Sequence, residues 1–167
     1  TSTIPRSSLV KGMSPSLASR FLITHFFNPP RYLPLLELIV GEEIEEDIFH
    51  RMSIFASERL GKKVILCNDT PGFIGNRLGI YFVQRSIAAT LDYGFTVEQA
   101  DAMLGRPIGL PKTGVFALMD LVGIDIIPAV IQSMVENLPA DDPLHIIAGK
   151  GEEIISDMIA KGYTGRK

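Results

Sequence analysis

Cysteine occurs once, at Cys67, in a chain of 167 residues. A single thiol cannot build a disulfide framework or a thiolate metal site, and this usage suits a reducing compartment. Positive charge is not in excess: 16 Lys and Arg stand against 19 Asp and Glu, a formal net charge of −3. No basic field therefore invites nucleic acid. Long apolar runs are also missing. The most apolar stretch, Val122 to Val130, is broken by Asp125 and Pro128 and is too short to span a bilayer, so no membrane insertion is expected. No basic segment followed by an apolar run marks a secretory signal. His50 and His145 lack ligand spacing with any other His, Cys or carboxylate cluster, so no metal site is expected. No serine sits in a G-x-S-x-G elbow. No G-x-G-x-x-G loop is present either, and Gly149-Lys150-Gly151 leads into Glu152 and Glu153, a poor setting for a pyrophosphate.

What remains is an ordinary globular composition, 46% hydrophobic and 21% charged, able to bury one real core or two small ones. Thr1 to Arg20 is rich in serine and punctuated by Pro5, Gly12 and Pro15, which predicts loop with at most a short helical turn. Phe21 to Phe27 and Leu35 to Val40 read as strands. The prolines of Asn28-Pro29-Pro30-Arg31-Tyr32-Leu33-Pro34 forbid regular pairing between them. The acidic run Glu42, Glu43, Glu45, Glu46 and Asp47 suits the opening of a helix, whose apolar spacing extends from Glu45 to Leu60. Gly61 stops it, and Val64 to Cys67 forms a third strand.

The pattern then becomes helical. Asp69-Thr70-Pro71-Gly72 is a helix-start signal, with a cap candidate followed by proline near the first turn, for a long helix over Phe73 to Tyr93. Thr96 caps a helix to Leu104, and further helices are expected over 115–121, 126–138 and 151–161. Gly75 and Gly79 are expected to permit close helix packing. The chain thus reads as the tail of an α/β domain, residues 1–68, joined to an all-α helical domain, residues 69–167. There is no internal repeat.

Strand parity places Phe21, Ile23, His25 and Phe27 on one face, and Leu35, Glu37 and Ile39 on another. A carboxylate in an apolar row is costly unless a charged or hydrogen-bonding group answers it. Pairing His25 with Glu37 resolves this for both residues: it fixes the imidazole and stabilises the charge a base acquires on taking a proton. The competing reading is a satisfied core histidine beside an exposed edge glutamate. Asn76 lies on the long helix in line with Ile80, Val83 and Ile87, so its amide needs either a partner or a ligand.

These residues sit in segments that resemble one family. His25-Phe26-Phe27-Asn28-Pro29, with Glu37 following in LLELIVG, resembles the signature of NAD-dependent L-3-hydroxyacyl-CoA dehydrogenases. The segment from Asp69 to Leu78 (DTPGFIGNRL) resembles their domain-junction motif. Asp120-Leu121-Val122-Gly123-Ile124-Asp125 resembles the DLVGLD stretch of their helical domain. Thr1-Ser2-Thr3 is similar to the family's NTS segment, and Gly165-Arg166-Lys167 to what precedes TGxGFY.

The resemblance implies the end of a Rossmann-type domain, residues 1–68, and the family's C-terminal helical domain, residues 69–167. It implies oxidation of L-3-hydroxyacyl-CoA to 3-ketoacyl-CoA with NAD in fatty-acid β-oxidation. His25 matches the general base that removes the C3 hydroxyl proton, and Glu37 the carboxylate that orients it. Asn76 matches the residue that hydrogen-bonds the substrate oxygen. Ser2 matches a serine contacting both cofactor and acyl-CoA, and Asn28 and Lys167 match positions near NAD. The family further implies a homodimer through the helical domain and a bacterial cytoplasmic location.

Two departures stand out. The short enzymes have PMGPF where this chain has Arg106-Pro107-Ile108-Gly109-Leu110-Pro111-Lys112-Thr113, and V-P-V-M-K where it has Pro30-Arg31-Tyr32-Leu33-Pro34. Both variants resemble the large bacterial multidomain form that carries an enoyl-CoA hydratase-type domain. The family's N-terminal βαβ units, with their glycine-rich loop, have no counterpart here. The first residue is Thr1 rather than Met, and the chain is expected to be incomplete and inactive alone. The alternative is a non-catalytic substrate-side and dimerisation module. A β-hydroxyacid dehydrogenase is a third reading, but those enzymes use a lysine base in the helical domain.

Overall fold

The computed structural model describes residues 4–166; Ser2 and Lys167 lie outside them. The chain divides into two compact units, Thr1–Arg77 and Leu78–Lys167.

The first unit opens with two single-turn helices, α1 (Arg6–Leu9) and α2 (Pro15–Ala18), followed by strands β1 (Ile23–Phe26) and β2 (Leu35–Ile39). Helix α3 (Glu46–Ile54) runs on through a π-helical turn, Phe55–Arg59, to β3 (Lys63–Cys67). Helix α4 (Gly75–Tyr93) starts within this unit. The sheet order is β1-β2-β3, with β1 antiparallel and β3 parallel to the central β2. A parallel pair needs a crossover, and α3 supplies it. Glu46 and Asp47 occupy the first turn of α3, where the helix dipole favours carboxylates.

Both faces of β2 are covered. Leu36 and Leu38 pack with Ala56, Phe49 and Met52, while Ile39 packs with Ile23, Cys67 and Phe73. Burial on both sides explains why LLELIV is almost continuously apolar instead of alternating. Glu37, 1% exposed, is the exception in its middle.

Within the helix-start segment, the Asp69 carboxylate reaches back in the chain: it accepts the backbone N–H groups of Arg6 at 2.5 Å and Ser7 at 2.7 Å, at the start of α1. The Arg6 side chain is buried nearby, donating to the Phe21 carbonyl at 2.7 Å, the Ala18 carbonyl at 2.6 Å and Glu43 at 3.0 Å. The serine-rich opening is thereby tied to the segments that flank the strands by one arginine and one aspartate.

Cys67 is buried at the end of β3. Burial, then the charge of nearby Glu37, pushes its thiol from the ordinary 9.0 up to about 11. Since the thiolate is the nucleophile, Cys67 at pH 8 should react with iodoacetamide at least roughly 100-fold more slowly in the folded than in the urea-unfolded protein. Mass spectrometry of the Cys67 peptide checks this, and equal rates would contradict the burial. The sign for stability follows from linkage: the unfolded thiol ionises first, so this group's contribution is intact below about pH 9 and is lost as pH rises toward 11.

The second unit is helical. It holds the rest of α4, then α5 (Val97–Met103), a 3₁₀ turn at Arg106–Ile108, α6 (Phe116–Val122), α7 (Ile126–Asn137), α8 (Leu144–Ile147) and α9 (Glu152–Ala160). Thr96 and Gln99 form a reciprocal capping box on α5, as the position of Thr96 predicts. Asp101 accepts the N–H groups of Phe116 at 2.7 Å and Ala117 at 3.0 Å, fixing the start of α6. The core joins Val83 and Ile87 of α4 to Met119, Ile127 and Ile155. A cavity of about 410 Å³ in this unit includes Phe95, Phe116 and Met158 in its wall and none of the candidate site residues. Among the described residues, no single helix is long and apolar enough to cross a membrane. The packing expectation for the α4 glycines is also revised. A Cβ on Gly79 would meet nothing within 4 Å, whereas one on Gly75 would lie 2.4 Å from the ring of Phe27. Gly75 thus admits an aromatic side chain, not a second helix.

Candidate active site

The antiparallel register sets His25 directly across from Glu37. Both side chains are buried, at 7% and 1% exposure, and His25 Nδ1 lies 2.5 Å from Glu37 Oε2. A carboxylate oxygen only accepts, so Nδ1 carries a proton, and in the neutral ring the lone pair lies on Nε2. The second carboxylate oxygen, Oε1, accepts the backbone N–H of Ile74 at 3.0 Å and of Gly75 at 2.7 Å. These amides belong to the start of α4, where unsatisfied N–H groups and the helix dipole favour an anion. Glu37 is therefore held from both sides. One oxygen orients the imidazole, and the other completes a helix terminus distant in sequence.

Two aromatic rings frame the imidazole. Phe27 lies with its ring centroid 4.7 Å from that of His25, and Phe73 at 5.6 Å. Phe73 adopts φ 50°, the one non-glycine residue at positive φ among those described. Such a conformation costs about 1–3 kcal/mol and persists where its surroundings over-determine it. Here it places a ring against the imidazole and, with the same turn, aims two amides at Glu37.

Asn76 follows Gly75 directly, so it shares the α4 terminus that binds Glu37. Asn28 is exposed, two residues beyond the end of β1. The structure thus brings His25, Glu37 and the start of α4 into one cluster, with Asn28 at the end of the strand that carries His25. Strand parity pointed to the pair. It carried no sign of the Ile74 and Gly75 amides or of the rings of Phe27 and Phe73. The one local signal was the helix-start segment Asp69-Thr70-Pro71-Gly72, which marks where α4 begins but not what its first amides bind.

The comparisons agree along the whole chain. Residues 1–70 match the family model of the 3-hydroxyacyl-CoA dehydrogenase NAD binding domain, and residues 72–167 that of the 3-hydroxyacyl-CoA dehydrogenase C-terminal domain. A putative fatty acid oxidation complex trifunctional enzyme of Rickettsia prowazekii is 38% identical over 167 residues, covering 100% of this chain and 23% of that protein. A probable 3-hydroxyacyl-CoA dehydrogenase of Bacillus subtilis is 36% identical over the same span, which is 21% of its length. The chain therefore spans less than a quarter of either relative. Among solved structures, FadB2 of M. tuberculosis superposes with a TM-score of 0.83 at 30% identity, over 99% of this chain and 55% of that one. The (S)-3-hydroxybutyryl-CoA dehydrogenase of Ralstonia eutropha gives the same TM-score, 0.83, at 28% identity and the same coverage of 99% and 55%. The fold is accordingly the end of a Rossmann-type NAD-binding domain followed by a helical C-terminal domain. On family models that together take in nearly every residue, the chain belongs to the 3-hydroxyacyl-CoA dehydrogenases.

Proposed function

We propose that the protein carrying this chain oxidises L-3-hydroxyacyl-CoA to 3-ketoacyl-CoA with NAD, in fatty-acid β-oxidation, with His25 as general base and Glu37 as the carboxylate that orients it. The observation that carries this reading is the 2.5 Å contact between His25 Nδ1 and Glu37 Oε2, with Glu37 Oε1 held by two helix amides. That arrangement leaves Nε2 as the ring nitrogen that takes the proton of the C3 hydroxyl. Glu37 offsets the positive charge that the ring then bears. The rings of Phe27 and Phe73 shield the imidazole from water and hold its plane. Asn76 is assigned to the substrate oxygen, and Ser2 to both acyl-CoA and cofactor.

NAD, when bound, supplies the acceptor for the hydride that leaves C3. The described residues fit its reactive end: the exposed Asn28 amide, which both donates and accepts, stands at the end of the strand that carries the base. Asn28 and Lys167 are assigned to it. A domain division at residues 68 and 69 is part of the same reading, as are a homodimer through the helical unit and a cytoplasmic location.

The test uses the full-length protein. NADH oxidation should proceed with acetoacetyl-CoA and not with free acetoacetate, which lacks the thioester handle. A protein that is inert toward 3-ketoacyl-CoA thioesters of every chain length would rule the reading out. Equal turnover of the free acid would instead favour a β-hydroxyacid dehydrogenase.

A further inference from the structure

The segment joining β1 to β2 has little means of tying itself down. Three of its residues, Pro29, Pro30 and Pro34, have no backbone N–H to donate. One turn forms, in which Tyr32 and Leu33 donate to the Pro29 carbonyl at 3.0 and 3.1 Å. The Pro34 carbonyl is taken by the N–H of Lys63 at 2.7 Å. The missing donors come from a side chain. Lys62 Nζ donates to the carbonyls of Pro30 and Leu33, the latter at 2.8 Å, and lies 5.9 Å from the centroid of the Phe26 ring. An ammonium offers three donors on a flexible stem, and a ring face within about 6 Å attracts it further. Its partners are neutral carbonyls, so Lys62 acts as a staple and not as half of an ion pair.

We propose that Lys62 is a positioning residue for the cofactor: by fastening the 29–34 turn it sets how Asn28, at the start of that turn, is presented to NAD. The inference rests on the assignment of Asn28 to the cofactor made above. His25 and Glu37 are held by the strand register and by α4, so loosening the turn leaves the base in place.

The experiment compares full-length wild type with Lys62→Met, which keeps the stem and removes the donors, and Lys62→Arg, which restores donors. Hydrogen–deuterium exchange of the peptide containing Tyr32 and Leu33 should quicken in Lys62→Met by roughly tenfold or more as the turn opens. The KM for NAD should rise roughly tenfold, while the pH profile of kcat and the KM for acyl-CoA stay as in wild type. Lys62→Arg should return both the exchange rate and the KM toward wild type. Unchanged exchange would overturn the staple. Faster exchange with an unchanged KM for NAD, or a lower melting temperature alone, would reduce Lys62 to a structural tie and overturn the proposal. Absence of dehydrogenase turnover in wild type is a different result: it removes the parent reading, and with it the role toward NAD, while the exchange data still decide the staple.

Discussion

Full-length protein bearing His25→Ala should lose about 10²–10⁴-fold in kcat with a near-normal KM for acyl-CoA, because a general base contributes by that factor and acts on the transition state. The ring that carries the lone pair is removed, and the remaining titratable neighbour of Glu37, the buried Cys67 thiol, is pushed up to about 11 and is no base near neutral pH. Stability should fall as well. The substitution empties the space framed by Phe27 and Phe73 and leaves Glu37 Oε2 without its partner. Loss of one buried partner costs about 1–3 kcal/mol. The fold should survive, since Oε1 keeps both amides of α4. Steady-state kinetics beside a urea denaturation curve separates the two effects. A variant that retains the wild-type rate would end the assignment of His25 as base.

Glu37 offers the sharper contrast, because two substitutions should divide its two jobs. In Glu37→Gln the amide oxygen can still accept from Ile74 and Gly75, so the start of α4 stays satisfied and the melting temperature should move little. The new NH₂ group faces Nδ1 where an acceptor stood. The imidazole must then keep its lone pair on Nδ1 and its proton on Nε2, the wrong tautomer for a base. An Asp-to-Asn change behind a catalytic histidine costs about 10⁴-fold in kcat by that route, and a loss approaching this size is expected here. Glu37→Ala removes the acceptor for three donors at once, in a buried site. Each buried donor left without an acceptor costs about 1–3 kcal/mol, so this variant should be strongly destabilised as well as slow. Equal stability of the alanine and glutamine variants would show that the helix amides do not depend on Glu37.

The pair itself was legible in the sequence because strand parity has a period of two, and an error of one residue would have turned His25 and Glu37 to opposite faces. The long helices were legible for a similar reason: α4 and α7 bury regular stripes, and Thr96 announces α5 with a local cap. What stayed hidden is non-local. Asp69 stands in a helix-start segment, yet its carboxylate reaches α1, more than sixty positions earlier. The Ile74 and Gly75 amides at the start of that helix are taken by Glu37, from a strand formed well upstream. Local propensity cannot register such an exchange of partners. The one-turn helices α1, α2 and α8 are also too short to show a periodic stripe.

The double bond of Glu37 to imidazole and helix also bears on how such chains age in evolution. A copy released from the need to turn over substrate still has to fold. Drift would remove His25 sooner, because its loss leaves one buried oxygen unpaired while both helix amides keep their acceptor. Glu37 would be retained far longer, since its loss unseats the start of α4. Among relatives, a surviving glutamate at this position would therefore testify to an intact fold, and the histidine opposite it would be the residue that distinguishes a working enzyme from its relic.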